Sequence, residues 1–87
     1  MIIVRSQNKE LLVEASNFRI CEGLSEGKVA YYTIDNEHDS FTFELGKYST
    51  KEKALKVLDK IQIAITIQLC DINRVVFQMP QDDEVGT

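Results

Sequence analysis

The sequence predicts an α+β fold: an antiparallel β-meander of about five strands, one long helix over residues 50–70 on one face, and a short C-terminal strand. Three observations carry this. Between Lys47 and Pro80 there is no glycine and no proline, and the first half of that stretch is rich in helix formers. Ahead of it, short apolar or alternating runs are separated by polar, turn-forming clusters. Behind it, Val75, Phe77 and Met79 alternate with polar or paired neighbours until Pro80, which cannot donate to a ladder.

In chain order, Ile2-Ile3-Val4 is apolar on both faces and reads as a covered strand that ends at Arg5-Ser6-Gln7-Asn8. Leu11 to Ala15 is a second strand closing at Ser16-Asn17, and Phe18 to Cys21 a third. Glu22 to Gly27 is expected as a loop between glycines. Lys28 to Ile34 is the fourth strand, followed by the polar turn Asp35 to Asp39. Phe41, Phe43 and Leu45 alternate with Ser40, Thr42 and Glu44, so the fifth strand is expected to bury the phenylalanines under the helix.

The helix is expected to span Ser49 to Ile72. Ser49 with Glu52 fits a capping box, a hydroxyl for one orphan N–H and a carboxylate reaching back to another. At 100° per residue, Ala54, Leu58, Ile61, Ile65, Leu69 and Ile72 fall on one stripe, flanked by Val57 and Ala64. A strand reading competes over residues 61–70, where Ile61, Ile63, Ile65, Ile67 and Leu69 alternate with other side chains. The uninterrupted run and the helical first half decide for helix. Ile63, Ile67 and Cys70 then lie opposite the core stripe, next to Lys53, Lys56 and Lys60. A stacked apolar pair on that side marks a contact surface.

The 87 residues make one domain over 1–80, with 81–87 expected as an acidic, disordered tail. Apolar content of 44% and charged content of 28% are those of an ordinary globular chain. The net charge of −4 argues against non-specific nucleic-acid binding. Cys21 and Cys70 read as reduced thiols of a cytoplasmic protein, and the opening decapeptide is too briefly apolar for a signal or a membrane span.

No chemistry stands out. His38 with Asp35, Glu37 and Asp39 lacks the further ligands a zinc site takes, and reads as a solvated turn. Cys21 or Cys70 would need His38 nearby to act as a nucleophile. Gly46-Lys47-Tyr48-Ser49 lacks the spacing of a phosphate loop. Tyr31, Tyr32, Phe41 and Phe43 invite comparison with base-stacking sheets, but the interleaved basic residues are missing. No metal, cofactor or catalytic residue is expected.

Ile2-Ile3-Val4-Arg5-Ser6-Gln7, Leu12-Val13, Leu45-Gly46-Lys47-Tyr48-Ser49-Thr50 with Ala54, Val57-Leu58 and Ile61-Gln62, and Val76-Phe77-Gln78-Met79-Pro80 together resemble one group of small proteins of Gram-positive bacteria, their phages and mobile elements. The resemblance covers residues 2–80. It implies a strand–helix–strand domain and brings no activity or binding residues with it. Ile63, Ile65 and Ile67 depart from that pattern, where charged residues are expected.

The function expected first is that of a non-enzymatic binding protein acting by protein–protein contact, with another protein or by self-association into a homodimer. Ile63, Ile67 and Cys70 would make the contact, rimmed by Lys56 and Lys60. A second expectation rests on the resemblance: a phage-encoded inhibitor presenting Asp35, Glu37, Asp39 and Asp82–Glu84 to a basic host protein. A third is a nucleotide or small-ligand domain built on the aromatic strands.

Overall fold

The computed structural model describes residues 2–38, 40–70 and 76–86; the side chains of residues 38 and 68–70 lie outside the described set. The fold is α+β. Its elements are β1 (Ile2–Arg5), β2 (Leu12–Ala15), β3 (Phe18–Ser25), β4 (Lys28–His38), β5 (Phe41–Tyr48), α1 (Lys51–Cys70) and β6 (Val76–Gln78), followed by a 3-10 turn at Asp82–Glu84. The strands form two three-stranded sheets, ordered β2-β1-β6 and β3-β4-β5. All pairs are antiparallel except β1 with β6, which is parallel. A parallel pair needs a long crossover, and here β2 to α1 intervene. The expected helix end at Ile72 and the start of the last strand at Arg74-Val75 lie outside the described residues.

The expected loop from Glu22 to Gly27 shrinks to a two-residue turn. Ser25 pairs with Lys28, and Glu26 and Gly27 both have positive φ, 52° and 77°. Two left-handed residues give a turn whose twist matches that of the flanking strands, so the hairpin stays paired to its end.

The joint between the sheets is built from Gln7, Leu45, Gly46, Tyr48 and Pro80. Ile34 pairs with Gly46 and Asp35 with Glu44, which leaves Leu45 as a bulge. Leu45 turns into the core, and its carbonyl accepts the Gln7 N–H at 2.7 Å. The Gln7 side chain clamps the same strand: Nε2 donates to the Lys47 carbonyl at 3.0 Å and to the Pro80 carbonyl at 3.2 Å, while Oε1 accepts the Lys47 N–H at 3.0 Å. The Tyr48 hydroxyl donates to the same Pro80 carbonyl at 2.8 Å. Gly46 is required here because a Cβ would stand 2.8 Å from the Tyr48 hydroxyl and 2.9 Å from its ring.

Under this joint lies the core: Ile2, Val4 and Ala15 from the first sheet, Ile34, Leu45 and Tyr48 from the second, Ala54, Val57 and Ile61 from α1, with Met79 and Val85. Helix α1 packs on β1, β3, β4 and β5. Of the expected stripe, Ala54 and Ile61 are fully buried and Ile65 partly so; Leu58 is only half-buried and outside the core cluster, while the flanking Val57 is fully buried and Ala64 partly so; the side chain of Leu69 lies outside the described residues.

The helix cap is one residue later than expected. The Thr50 hydroxyl accepts the Lys53 N–H at 3.1 Å, and the Thr50 carbonyl accepts the first helical bond, from Ala54, at 3.2 Å. Ser49 instead donates its N–H and hydroxyl to Asp82 Oδ1, at 2.8 and 3.1 Å. The partner that redirects Ser49 is remote in sequence, which is why local spacing misplaced the cap. Thr50→Ala is therefore expected to cost about 1 kcal/mol, read from the urea midpoint at unchanged slope. Ser49→Ala leaves the cap standing.

Two further expectations are corrected. Residues 81–86 dock as a strap along the N-terminal half of α1: Val85 is 3% exposed, and Lys53 and Lys56 donate to the carbonyls of Asp82 and Gly86. Phe41 and Phe43 are not core residues. Phe41 is 67% and Phe43 37% exposed, and neither belongs to the core cluster.

Candidate functional site

Residues 61–70 are helical, so the two isoleucines at a spacing of four do stack on the outer face of α1. Ile63 is 59% exposed and Ile67 57%, and with Asp59, Gln62 and Thr66 they line an open groove of about 390 Å³. Lys56 and Lys60 are both exposed on the same side. Lys56 is not a free rim charge, since its ammonium holds the Gly86 carbonyl of the strap. The side chain of Cys70 lies outside the described residues. Of the five contact residues read from sequence, Ile63 and Ile67 share the groove, Lys60 is exposed but does not line it, and Lys56 has a second duty.

The strap bounds this surface. The Asp82 carboxyl is held below its usual range, chiefly because it accepts the Ser49 N–H; the Ser49 hydroxyl and the Lys53 ammonium act in the same direction. Lys53 Nζ stands 3.5 Å from Asp82 Oδ2. These bonds occupy the flank of α1 up to Lys56, so the open part of the outer face begins at about Asp59.

Other chemistry is poorly provided for. The Cys21 thiol is pushed up, first by its hydrogen bond with Asp35 and then by burial, which opposes formation of the nucleophilic thiolate. Asp35 is buried beside it, and Glu37 pairs with Arg19 at 2.9 Å. The side chain of His38 and all of Asp39 lie outside the described residues. Among the described residues no three His, Cys, Asp or Glu side chains cluster as a metal site.

A second open groove, of about 380 Å³, is lined by Ala30, Tyr31, Lys47, Tyr48, Ser49 and Asp82. Its cation, Lys47, sits 4.0 Å above the Tyr31 ring centroid, and its Ser49 and Asp82 are bonded to each other. The Tyr48 phenol is pushed up, mainly by burial, then by the charges of Asp82 and Glu84. A phosphate group would meet a carboxylate here, so this groove lacks the charge a nucleotide site needs. Tyr32, expected on the nucleotide reading, does not line it.

Sequence reasoning missed the exposed end of the second sheet. Phe41 and Phe43 stand there beside Asn36, which is 3% exposed and whose Oδ1 has no partner among the described residues. Alternation alone places these residues on one face and does not say how far the helix extends over it.

The chain matches no known protein family, no curated protein and no solved structure. Among the described residues, no helix is long and apolar enough to cross a membrane.

Proposed function

We propose that this chain is a non-enzymatic protein-binding domain whose contact surface is the outer face of α1, centred on Ile63 and Ile67 and rimmed by Lys60, and that it self-associates through that face. The observation that carries the reading is the exposure of two stacked isoleucines on a helix whose opposite stripe is already buried. Among the described residues, Asp82 and Ser49 are engaged in the strap and Lys47 stacks on Tyr31, and the Cys21 thiol is pushed up by its hydrogen bond with Asp35.

The surface is small, well under the roughly 800 Å² per partner of a standard interface, so the association is weak and concentration-dependent. The test is solution mass by light scattering and sedimentation from about 10 μM to about 1 mM, the range suited to such an interface. Wild type is expected to shift from monomer to dimer. Ile67→Glu is expected to weaken the dimer by at least about tenfold, since burying one isoleucine is worth about 1.5–3 kcal/mol and each 1.4 kcal/mol is a factor of ten. Circular dichroism should show the variant folded, because Ile67 touches no part of the core. A wild type that remains monomeric, or a dimer indifferent to Ile67→Glu, sinks the reading.

A further inference from the structure

We infer that a second copy of this chain pairs along the free edge of β3, antiparallel and about a two-fold axis at Cys21, and joins the two β3-β4-β5 sheets into one. The contact is separate from the outer face of α1 and does not depend on it.

The main chain shows which groups are free. The Glu37 N–H donates to the Asn17 carbonyl at 3.1 Å, and this pair continues the register of Phe18 with Asn36. Bonded pairs alternate along an antiparallel ladder, so Arg19, Cys21 and Gly23 turn their N–H and C=O groups to β4. Those of Phe18, Ile20, Glu22 and Leu24 point outward, and among the described residues none of them has a hydrogen-bond partner.

Folded chains blunt such an edge by shortness, lysine, proline or a bulge. The other edges here are blunted or taken. Strand β2 has four residues and β6 three, and Gln7 occupies the edge of β5 at Leu45 and Lys47. Strand β3 runs for eight residues with no lysine or proline. The extra residue where its register with β4 shifts is Ala30, on β4, so β3 itself is regular. Near its end Leu24 is 64% exposed.

The edge is self-complementary in one register. Across a two-fold axis normal to the sheet, opposing residues share a face, so the axis passes through a residue. An axis at Glu22 sets the two carboxylates directly against each other, which is destabilising. An axis at Ile20 leaves Leu24 with no β3 residue opposite. An axis at Cys21 sets Phe18 of each copy against Leu24 of the other, and Ile20 against Glu22, so all four outward residues exchange main-chain bonds. Both exposed leucines are covered by phenylalanines, and the two Arg19 residues stay about 14 Å apart along the strands. Both α1 helices then lie on the same face of the joined sheet. With one apolar pair at each end the contact is weak, with a dissociation constant on the order of 1 mM.

The experiment is amide hydrogen exchange by NMR on Ile67→Glu, in which the α1 contact is weakened, at about 0.1 and about 3 mM, on either side of that constant. The Ile20 and Glu22 amides are expected to exchange about threefold more slowly at the higher concentration, where about two thirds of the chains are paired. The amides of Arg19, Cys21 and Gly23, already bonded to β4, are expected to keep their rates. Leu24→Lys, at an exposed position that leaves the fold intact, is expected to abolish the difference. Equal rates for Ile20 and Glu22 at both concentrations overturn the inference and leave the edge to a strand of another protein. A difference that survives Leu24→Lys overturns the register. Equal slowing of Arg19, Cys21 and Gly23 means a general stabilisation and overturns the pairing. None of these results touches the α1 contact, which is read from the mass of wild type against Ile67→Glu, and failure of that contact leaves the edge amides as the test of this one.

Discussion

Tyr48→Ala is expected to lower the unfolding free energy by about 3–5 kcal/mol, the loss typical of truncating a large buried side chain to alanine. Tyr48 is 1% exposed, the largest of the fully buried side chains, and it ties three parts of the chain together. Its ring lies over Gly46 on β5, its body belongs to the core shared with α1, and its hydroxyl reaches the Pro80 carbonyl at 2.8 Å. A domain of this size holds only about 4–13 kcal/mol in total, so a large share of the molecules should be unfolded at moderate temperature. Urea denaturation checks this. Tyr48→Phe separates packing from hydrogen bonding. It should cost only about 1 kcal/mol, because Gln7 Nε2 still donates to the Pro80 carbonyl. Adding Gln7→Ala to Tyr48→Phe strips that carbonyl of both donors, and the double variant should lose more than the sum of the two singles. Strict additivity would mean that the two donors do not share one site, contrary to the geometry.

The fold class and most of the element order were legible in the sequence because they rest on local periodicity. Ala54, Val57 and Ile61 announce one helix face at a spacing no loop would keep, and the strands alternate or end at polar clusters. What stayed illegible depends on partners far along the chain. Ser49 satisfies every local rule for a cap, yet Asp82, 33 residues later, takes its hydrogen bonds and leaves Thr50 to cap the helix. The division into two sheets is also a long-range fact. So is their joint, where Gln7 reaches β5 and Leu45 bulges to meet it, and nothing within either segment alone requires the other. Phe41 and Phe43 have the alternation of a half-buried strand, but alternation fixes only which side chains share a face. Whether that face is covered depends on where the helix lies. The exposure of Ile63 and Ile67 was readable for the opposite reason: two stripes on one helix cannot both face one sheet, so helicity alone leaves that pair outside.

Truncation after Pro80 is expected to destabilise the protein by about 2–3 kcal/mol, the worth of burying the Val85 side chain. For a domain this small the melting temperature should fall by about 10–20 °C. A dispensable acidic tail would leave both unchanged, so the measurement separates a docked strap from a solubilising extension. Val85→Ser should reproduce most of the loss with the chain length kept. The polar half of the strap has a different signature. Asp82 has its folded-state pKa held below the ordinary carboxylate value of 3.8, mainly by the Ser49 N–H. Its contribution is therefore complete above the unfolded value and is lost as the pH falls through the lower, folded one. Wild type should lose stability below about pH 4 more steeply than Asp82→Asn, which has no proton to take up at that site. The effect is expected to be modest, since the carboxylate is 40% exposed and solvent screens it. Hydrogen exchange would place it: at low pH the amide of Ser49, which Asp82 holds, should exchange faster while those of Lys53, held by Thr50, and of the Ala54–Ile61 stripe hold. Uniform acceleration along α1 would instead mean that the strap and helix open together, and that the flank of α1 under the strap is uncovered only by global unfolding.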